Sequence, residues 1–171
     1  MLQARDRKQL RHAIRKWKSE GQTVAFVPTM GNLHEGHIAL VQEAGKLADK
    51  VVASIYVNPT QFGADEDLDC YPRTPEADYK ALSDAACDLV FTPGVERIYP
   101  FGPDSSFLLT VPTELSSILV GEFRPGHFDG VVTVVARLFN LVDPDVAVFG
   151  EKDFQQLQII RRMVTDQGYD I

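Results

Sequence analysis

The sequence predicts an α/β fold, a doubly wound parallel sheet with helices on both faces. Short apolar segments alternate with helical patterns along the chain, which is the order of βαβ units. The apolar segments, such as residues 24–27 and 51–57, show no alternation of polar and apolar residues, as expected of strands buried on both faces. Ligands of such sheets bind beyond the carboxyl ends of strands, near a switch in strand order.

Helices are predicted where apolar residues recur at helical spacing, as Leu10, Ile14 and Trp17 do in the first helix. The predicted helices are residues 6–19, 38–47, 75–86, 115–120, 131–142 and 154–167. The predicted strands are residues 24–27, 51–57, 88–91 and 146–149, with 107–111 as a short strand outside the main repeat. Residues 58–72 form a long loop, and long loops in compact domains are often functional.

Composition limits the class of protein. A chain of 171 residues with 44% hydrophobic content fits one globular domain, residues 1–171. The net charge of −7 argues against nucleic-acid binding, so cations for a polyphosphate must be gathered locally or supplied as Mg²⁺. No apolar segment reaches the length of a membrane span, the start lacks a signal-peptide core, and the two cysteines lack metal spacing. We expect a reduced, cytoplasmic protein that binds no membrane.

The most informative segment, residues 28–37, lies between an apolar strand and a helix and contains His34 and His37. Backbone N–H groups at a helix start favour anions, and Gly31 and Gly36 let a ligand approach the backbone. A nucleoside triphosphate suits this turn. A zinc site is the first alternative, but the zinc-protease motif spaces its histidines by four residues and here the spacing is three. A structural turn with two surface histidines is the second.

Two further strand ends carry polar residues. Lys152 opens the last helix, where a lysine is mildly unfavourable unless it contacts a phosphate, and Asp153 follows it. Gln156 is four residues from Lys152 and three from Asp153, so these side chains share a helix face. Gln155 is expected to face elsewhere. For Lys152, the alternative is an ordinary solvent-exposed lysine with no ligand.

Asn58 and Gln61 follow the second strand, and their amides suit a hydroxyl-bearing or carboxylate substrate. Arg124 and His127 lead into the helix at 131–142. For Asn58 and Gln61 the alternative is an ordinary turn, since Asn-Pro is itself a turn signal. For Arg124 and His127 the alternative is an ordinary surface loop. The candidate groups at these strand ends suit electrostatic stabilisation of a transfer at phosphorus. They are histidines, a lysine, helix termini and side-chain amides.

Five ordered blocks resemble the pantoate–β-alanine ligase (pantothenate synthetase) family. They are VPTMGNLHEGH at 27–37, VNPTQF at 57–62, YPRT at 71–74, RPGHFDGV at 124–131 and FGEKDFQQ at 149–156. The resemblance runs from about residue 20 to the end. The first block is similar to the HxGH signature of nucleotidyltransferases, which implies a Rossmann-like doubly wound sheet.

The resemblance implies a two-step ligation. Pantoate attacks the α-phosphate of ATP, with Mg²⁺, to give pantoyl adenylate and pyrophosphate; β-alanine then releases pantothenate and AMP. It implies catalytic roles for His37 as the acid, for His34 and for Lys152, which holds the transferred phosphoryl group. It places Gln61 and Gln156 on pantoate, with Asn58 and Arg124 close by, and no metal ligand. The implied ATP-binding residues are Met30, Gly31, Asn32, Leu33, His34, His37, Gly150, Glu151, Lys152 and Asp153.

We expect a homodimer. The family also implies a smaller C-terminal domain whose loop closes on the triphosphate. We therefore expect residues 1–171 to be an N-terminal nucleotide-binding domain with reduced or no turnover. Two other functions stay open: another HxGH nucleotidyltransferase that acts on a phosphorylated acceptor, and a non-catalytic nucleotide-binding or dimerisation module.

Overall fold

Five parallel strands form one sheet in the computed structural model, which describes residues 1–63 and 68–171. The strand order is β1-β4-β3-β2-β5, so the chain moves outward from β2 to β4 and later adds β5 on the other side of β2. The switch in strand order therefore lies between β2 and β5, and the predicted doubly wound sheet is confirmed. The strands are β1 (Leu2–Ala4), β2 (Val24–Thr29), β3 (Lys50–Ile55), β4 (Leu89–Phe91) and β5 (Val146–Ala147).

Helices cover both faces of the sheet. The described helices are α1 (Arg7–Ser19), α2 (Glu35–Leu47), α3 (Pro75–Asp84), α4 (Val95–Ile98), α5 (Thr113–Ser116), α6 (Val120–Phe123), α7 (His127–Val142) and α8 (Phe154–Gln167). Side chains of α1, α7 and α8 pack with one face of the sheet, and those of α2 and α3 pack with the other. Within residues 1–63 and 68–171, no helix is long and apolar enough to cross a membrane.

Strand β2 shows why these segments lack polar alternation. Val24 and Phe26 belong to the core under α1, α7 and α8, whereas Ala25 and Val27 belong to the core under α2. All four side chains are fully buried. A strand with an apolar layer on each side must be apolar at every position, as the sequence predicted.

Most predicted elements are confirmed within a few residues, and the last helix matches at both ends. Helix α2 begins three residues earlier than predicted and α7 four residues earlier, which brings His37 and His127 into their first turns. The single helix predicted at 115–120 is wrong, since two short helices, α5 and α6, overlap its two ends and residues 117–119 between them are not helical. Strand β1, which was not predicted, pairs with β4 at the sheet edge.

The strand predicted at residues 107–111 is wrong. The backbone there is bonded by side chains of α7, because Leu109 N donates to Thr133 Oγ1 at 2.9 Å and Val111 N to Asp129 Oδ1 at 2.8 Å. Two alternate backbone N–H groups of this segment thus donate as they would in a strand, but to helix side chains and not to a neighbouring strand. Its apolar pattern was real, but helix side chains satisfy its backbone.

Gly130 lets α7 approach the 3-10 turn at Pro59–Gln61. A Cβ atom at this position would lie 2.3 Å from the carbonyl oxygen of Thr60. Gly130→Ala should therefore lower the free energy of unfolding by about 1–3 kcal/mol, as overpacking does. Gly45→Ala in α2 is the matched control, since its Cβ would meet only Val51 Cγ2 at 3.8 Å. That variant should be neutral or stabilised; equal thermal melts for the two would contradict the close approach.

Candidate active site

The carboxyl ends of β2, β3 and β5 meet at a cleft formed by two adjoining cavities. The first cavity, of about 430 Å³, lies between the β2–α2 turn and an apolar wall of α7. The second, of about 510 Å³, lies toward α6 and the start of α7. Both are lined by Met30, Gln61, Tyr71, Lys152, Asp153 and Gln156. The cleft thus occupies the switch in strand order, where ligands of such sheets bind.

Most of the predicted site residues meet in this cleft. Arg124 lines the second cavity, whereas Leu33 and Glu151 line neither. Leu33 packs against the core beneath α2, and Glu151 is exposed. The other predicted residues line the first cavity: Met30, Gly31, Asn32, His34, His37, Asn58, Gln61, Gly150, Lys152, Asp153 and Gln156.

His34 and His37 cap the start of α2 reciprocally. His34 Nδ1 accepts from the backbone N–H of Gly36 at 3.0 Å, and His37 Nδ1 accepts from the backbone N–H of His34 at 3.3 Å. The two rings lie 4.1 Å apart between centroids. This is the arrangement of a capping box, with two imidazoles in place of the usual hydroxyl and carboxyl side chains. Because each Nδ1 accepts, each neutral ring carries its proton on Nε2 and can donate from there.

The backbone of this turn is already bonded within the protein. Gly31 N donates to Thr29 Oγ1 at 3.2 Å, and the N–H groups of Asn32 and Leu33 donate to the Asp78 carboxylate at 3.0 and 2.8 Å. These three N–H groups are therefore occupied, and anion binding by the backbone at the start of α2 stays a prediction. The imidazole Nε2–H groups and the Lys152 ammonium line the same cavity and are candidate donors for a phosphate.

Burial lowers the pKa of His37 below its usual value of 6.5, and the neighbouring His34 lowers it further. Asp78 and Asp153 act in the opposite direction, and Lys152 adds to the lowering. His37 is thus a neutral donor near pH 7 in the unliganded protein. Its role as an acid requires a ligand whose negative charge restores its proton affinity.

We predict that His37 titrates below pH 6.5 in the free protein, which an NMR pH titration will measure, with His37→Gln assigning the resonance. A lowered pKa means that the unfolded state binds a proton more readily than the folded state. The free energy of unfolding should therefore fall as the pH drops from 6.5 toward the folded pKa. A His37 midpoint at or above 6.5 would contradict the burial.

Lys152 and Gln156 lie side by side at the start of α8. Lys152, in the 3-10 turn Glu151–Asp153, has no hydrogen-bond or ion-pair partner among residues 1–63 and 68–171 and lines both cavities. Gln155 was expected to face elsewhere, but it lines the second cavity. Its amide accepts from Val120 N at 3.0 Å and donates to Ile118 O at 2.7 Å. The two glutamines therefore differ in that Gln156 lines both cavities, whereas Gln155 lines only the second and is bonded to the segment at the start of α6.

Asn58 supports Gln61. It is almost fully buried, and its amide accepts from the Tyr99 hydroxyl at 2.7 Å and donates to Gly130 O at 3.1 Å and to Gln61 Oε1 at 3.2 Å. Gln61 Nε2 lies 3.1 Å from Met30 Sδ, at the shared wall of the two cavities. Protein partners thus occupy the Asn58 amide, and its direct contact with substrate stays a prediction.

Arg124 and His127 hold the same loop from the other side. Arg124 Nη2 donates to Gln61 O at 3.3 Å, and His127 Nδ1 lies 2.8 Å from that oxygen. Since a carbonyl oxygen only accepts, His127 Nδ1 carries the proton and Nε2 accepts from Arg124 Nη1 at 3.1 Å.

Sequence reasoning missed Asp78, Tyr99 and Tyr71. Asp78 is an acid in the first turn of α3, where acids are common for helix stability alone. Tyr99 follows the four-residue helix α4 and contacts Asn58 across 41 positions of sequence. Tyr71, within the YPRT block, lines both cavities. Only Tyr71 carried a sequence signal.

A family model described as pantoate-beta-alanine ligase matches residues 3–171. The pantothenate synthetase of Shewanella woodyi is 58% identical over 171 residues, which is all of this chain and 60% of that protein. That of Xanthomonas oryzae pv. oryzae is 57% identical over 162 residues, 95% of this chain and 58% of that protein. The chain therefore spans about 60% of the length of these curated relatives.

Solved structures show the same fold. The pantothenate synthetase of Thermus thermophilus superposes with a TM-score of 0.92 at 49% identity, over 99% of this chain and 59% of that chain. The pantoate-beta-alanine ligase of Francisella tularensis, complexed with beta-gamma ATP and beta-alanine, gives a TM-score of 0.92 at 39% identity, over 99% of this chain and 64% of that chain.

Proposed function

This chain belongs to the pantoate–β-alanine ligase family, and we propose that its cleft carries out the ATP-dependent joining of pantoate to β-alanine. One observation carries the proposal. One cavity is lined by groups suited to phosphate, which are His34, His37 and Lys152, and by the amide side chains of Gln61 and Gln156. The ATP and β-alanine bound to the Francisella relative support the same substrates.

The first step would form pantoyl adenylate. A carboxylate oxygen of pantoate forms a bond to the α-phosphorus of ATP while the bond from that phosphorus to the leaving pyrophosphate oxygen breaks. Negative charge develops on the phosphoryl oxygens, and the Lys152 ammonium and the Nε2–H groups of the two histidines would stabilise it. Positioning and electrostatics supply the catalysis, so no covalent intermediate with the protein is required.

The second step would consume the adenylate. The neutral amine of β-alanine attacks the acyl carbon, a C–N bond forms, the amine loses a proton, and AMP leaves with the electrons of the acyl C–O bond. His37 is neutral in the free protein, with its proton on Nε2, and it would gain proton affinity beside the phosphate. It would take up and return the proton at Nδ1, which would release the hydrogen bond from the backbone N–H of His34.

Pantoate would lie between the two amides and α7. Its hydroxyl and carboxylate oxygens suit the Gln61 and Gln156 side chains. Its two methyl groups suit the apolar wall of the first cavity, formed by Val131, Val134, Val135 and Leu138.

Mg²⁺ would arrive with the nucleotide. The described ranges contain no cluster of three or more histidine, cysteine or acidic side chains that could hold a metal by themselves. That fits Mg²⁺, which keeps its waters and binds mainly through substrate phosphates with one or two carboxylates. Asp153 lines both cavities and could provide one carboxylate; the ion would neutralise phosphate charge.

The test is pantoate-dependent adenylation. The protein is mixed with Mg²⁺, ATP labelled in the α-phosphate and pantoate, and a single turnover is quenched and analysed for pantoyl adenylate and pyrophosphate. Adding β-alanine should convert the adenylate to pantothenate and AMP. Nucleotide binding without adenylate would favour the non-catalytic module, and transfer to a phosphorylated acceptor instead of pantoate would favour another nucleotidyltransferase.

We also propose a homodimer. Phe101 and Phe107 expose 85% and 99% of their side chains, and Leu108 next to them is also exposed, which is unusual for large apolar residues. Sedimentation equilibrium should give twice the chain mass, and Phe107→Ser should shift the equilibrium to the monomer.

A further inference from the structure

Asp78 is the one charged side chain that is fully buried in the described ranges, with 2% of its surface exposed. Burial of a carboxylate is costly unless hydrogen bonds replace its water. Three donors do so here: Asn32 N at 3.0 Å, Leu33 N at 2.8 Å and the Thr74 hydroxyl at 3.0 Å. No lysine or arginine pairs with it within residues 1–63 and 68–171, so the neutral donors carry the compensation.

The two backbone donors belong to a turn that is conformationally demanding. Gly31 has φ of 83° and Asn32 has φ of 51°, both in the left-handed region. A residue other than glycine there needs local compensation. A Cβ at Gly31 would lie 3.0 Å from Ile55 Cγ2 and 3.1 Å from Asp78 Oδ2, so the turn is packed directly against the carboxylate.

Only a carboxylate satisfies this position. Oδ1 and Oδ2 each accept from a different backbone N–H, and Oδ1 also accepts the Thr74 hydroxyl. An asparagine of the same shape would replace one acceptor by an NH₂ group, which would face an N–H donor. The pair of charge-assisted bonds therefore fixes both the position and the orientation of the turn relative to α3.

That turn leads directly into the histidine pair. Leu33 precedes His34, the cap of α2, and His37 follows one helical turn later. We propose that Asp78 is a positioning residue of the cleft, whose carboxylate fixes the turn at residues 31–33 and so places His34 and His37 against the polyphosphate. The inference rests on the proposed function for its ligand and on hydrogen-bond geometry for the positioning.

The negative charge has a second effect on the same pair. His37 feels the charges of His34, Asp78, Lys152 and Asp153, and Asp78 is the larger of the two that raise its pKa. Loss of the Asp78 charge should thus lower the His37 pKa further. This effect acts through space and reports the charge beside the histidine pair, whereas the amide resonances of Asn32 and Leu33 report the turn itself.

The test compares Asp78→Asn with Asp84→Asn, a control on the exposed face of the same helix whose partner is Lys80. In Asp78→Asn, the amide resonances of Asn32 and Leu33 should shift, the His37 titration should move to lower pH, and pantoate-dependent adenylation should slow at least tenfold. The KM for pantoate should stay within about twofold. Asp84→Asn should match the wild type in all four measurements.

Asp78→Asn with an unmoved His37 titration and wild-type adenylation would overturn the proposal. If that variant does not fold, Thr74→Val removes one donor and keeps the carboxylate; it should slow adenylation less than tenfold and shift the same two amides, and unshifted amides would overturn the proposal. The amide and His37 measurements need no substrate. A wild-type chain that fails to adenylate pantoate would therefore refute the proposed function while those two readouts still decide the positioning.

Discussion

Lys152→Ala should slow pantoate-dependent adenylation by about 10²–10³-fold, because it removes the ammonium that meets charge developing at phosphorus. Its proposed ground-state contact with the phosphates would be charge-assisted and worth about 1.5–3 kcal/mol, so ATP affinity should fall about ten- to a hundredfold. Lys152 has no partner in the described ranges, so its loss leaves no buried group unsatisfied and the thermal melt should not change. Calorimetry and single-turnover kinetics measure the two effects.

Lys46→Ala is the control. Lys46 lies in the last turn of α2, paired with Glu43 at 2.7 Å and outside both cavities. That variant should bind and adenylate as the wild type does. Unchanged ATP affinity and unchanged adenylation in Lys152→Ala would refute its assignment.

Gln156→Ala should raise the KM for pantoate by about ten- to a hundredfold and leave ATP affinity nearly unchanged. A hydrogen bond from an amide to a charged group is worth about 1.5–3 kcal/mol, and Gln156 would provide one to the pantoate carboxylate. Steady-state and binding measurements with each substrate in turn separate the two effects. An equal loss of ATP and pantoate would mean that the residue supports the helix start instead.

Gln155→Ala is the neighbouring control with the opposite signature. It removes the bonds that the Gln155 amide makes to Val120 N, Leu115 O and Ile118 O, so it should lower the melting temperature. The KM for pantoate should change less than in Gln156→Ala. A reversed pattern would mean that the two glutamines had been assigned to the wrong roles.

Most of the fold could be predicted from local sequence patterns. Strand β2 and helix α8 were predicted because burial on two faces and helical periodicity both leave a trace within a dozen residues. The convergence of His37, Lys152 and Gln61 followed from strand alternation, since parallel strands place their carboxyl ends at one edge of the sheet. The chemistry of the site could thus be located before its geometry was known.

The site residues that the sequence did not reveal are those whose contacts are distant in sequence. Asp78 holds Asn32 across 46 positions and Tyr99 holds Asn58 across 41, and nothing local distinguishes such residues from an ordinary helix acid or core tyrosine. The early start of α2 was missed for a different reason: histidine is not a usual helix cap, and the apolar period begins only at residue 38. Strand β1 has three residues and gains its stability from β4.

The reciprocal histidine cap has a thermodynamic consequence. Both neutral rings carry a proton on Nε2, and both Nδ1 atoms accept a hydrogen bond from the backbone. A proton that a bound polyphosphate draws to either ring must therefore be added at Nδ1. Nucleotide binding near pH 7 should therefore consume a fraction of a proton. Its affinity would strengthen as the solution is acidified toward pH 6, and its apparent enthalpy would follow the ionisation heat of the buffer.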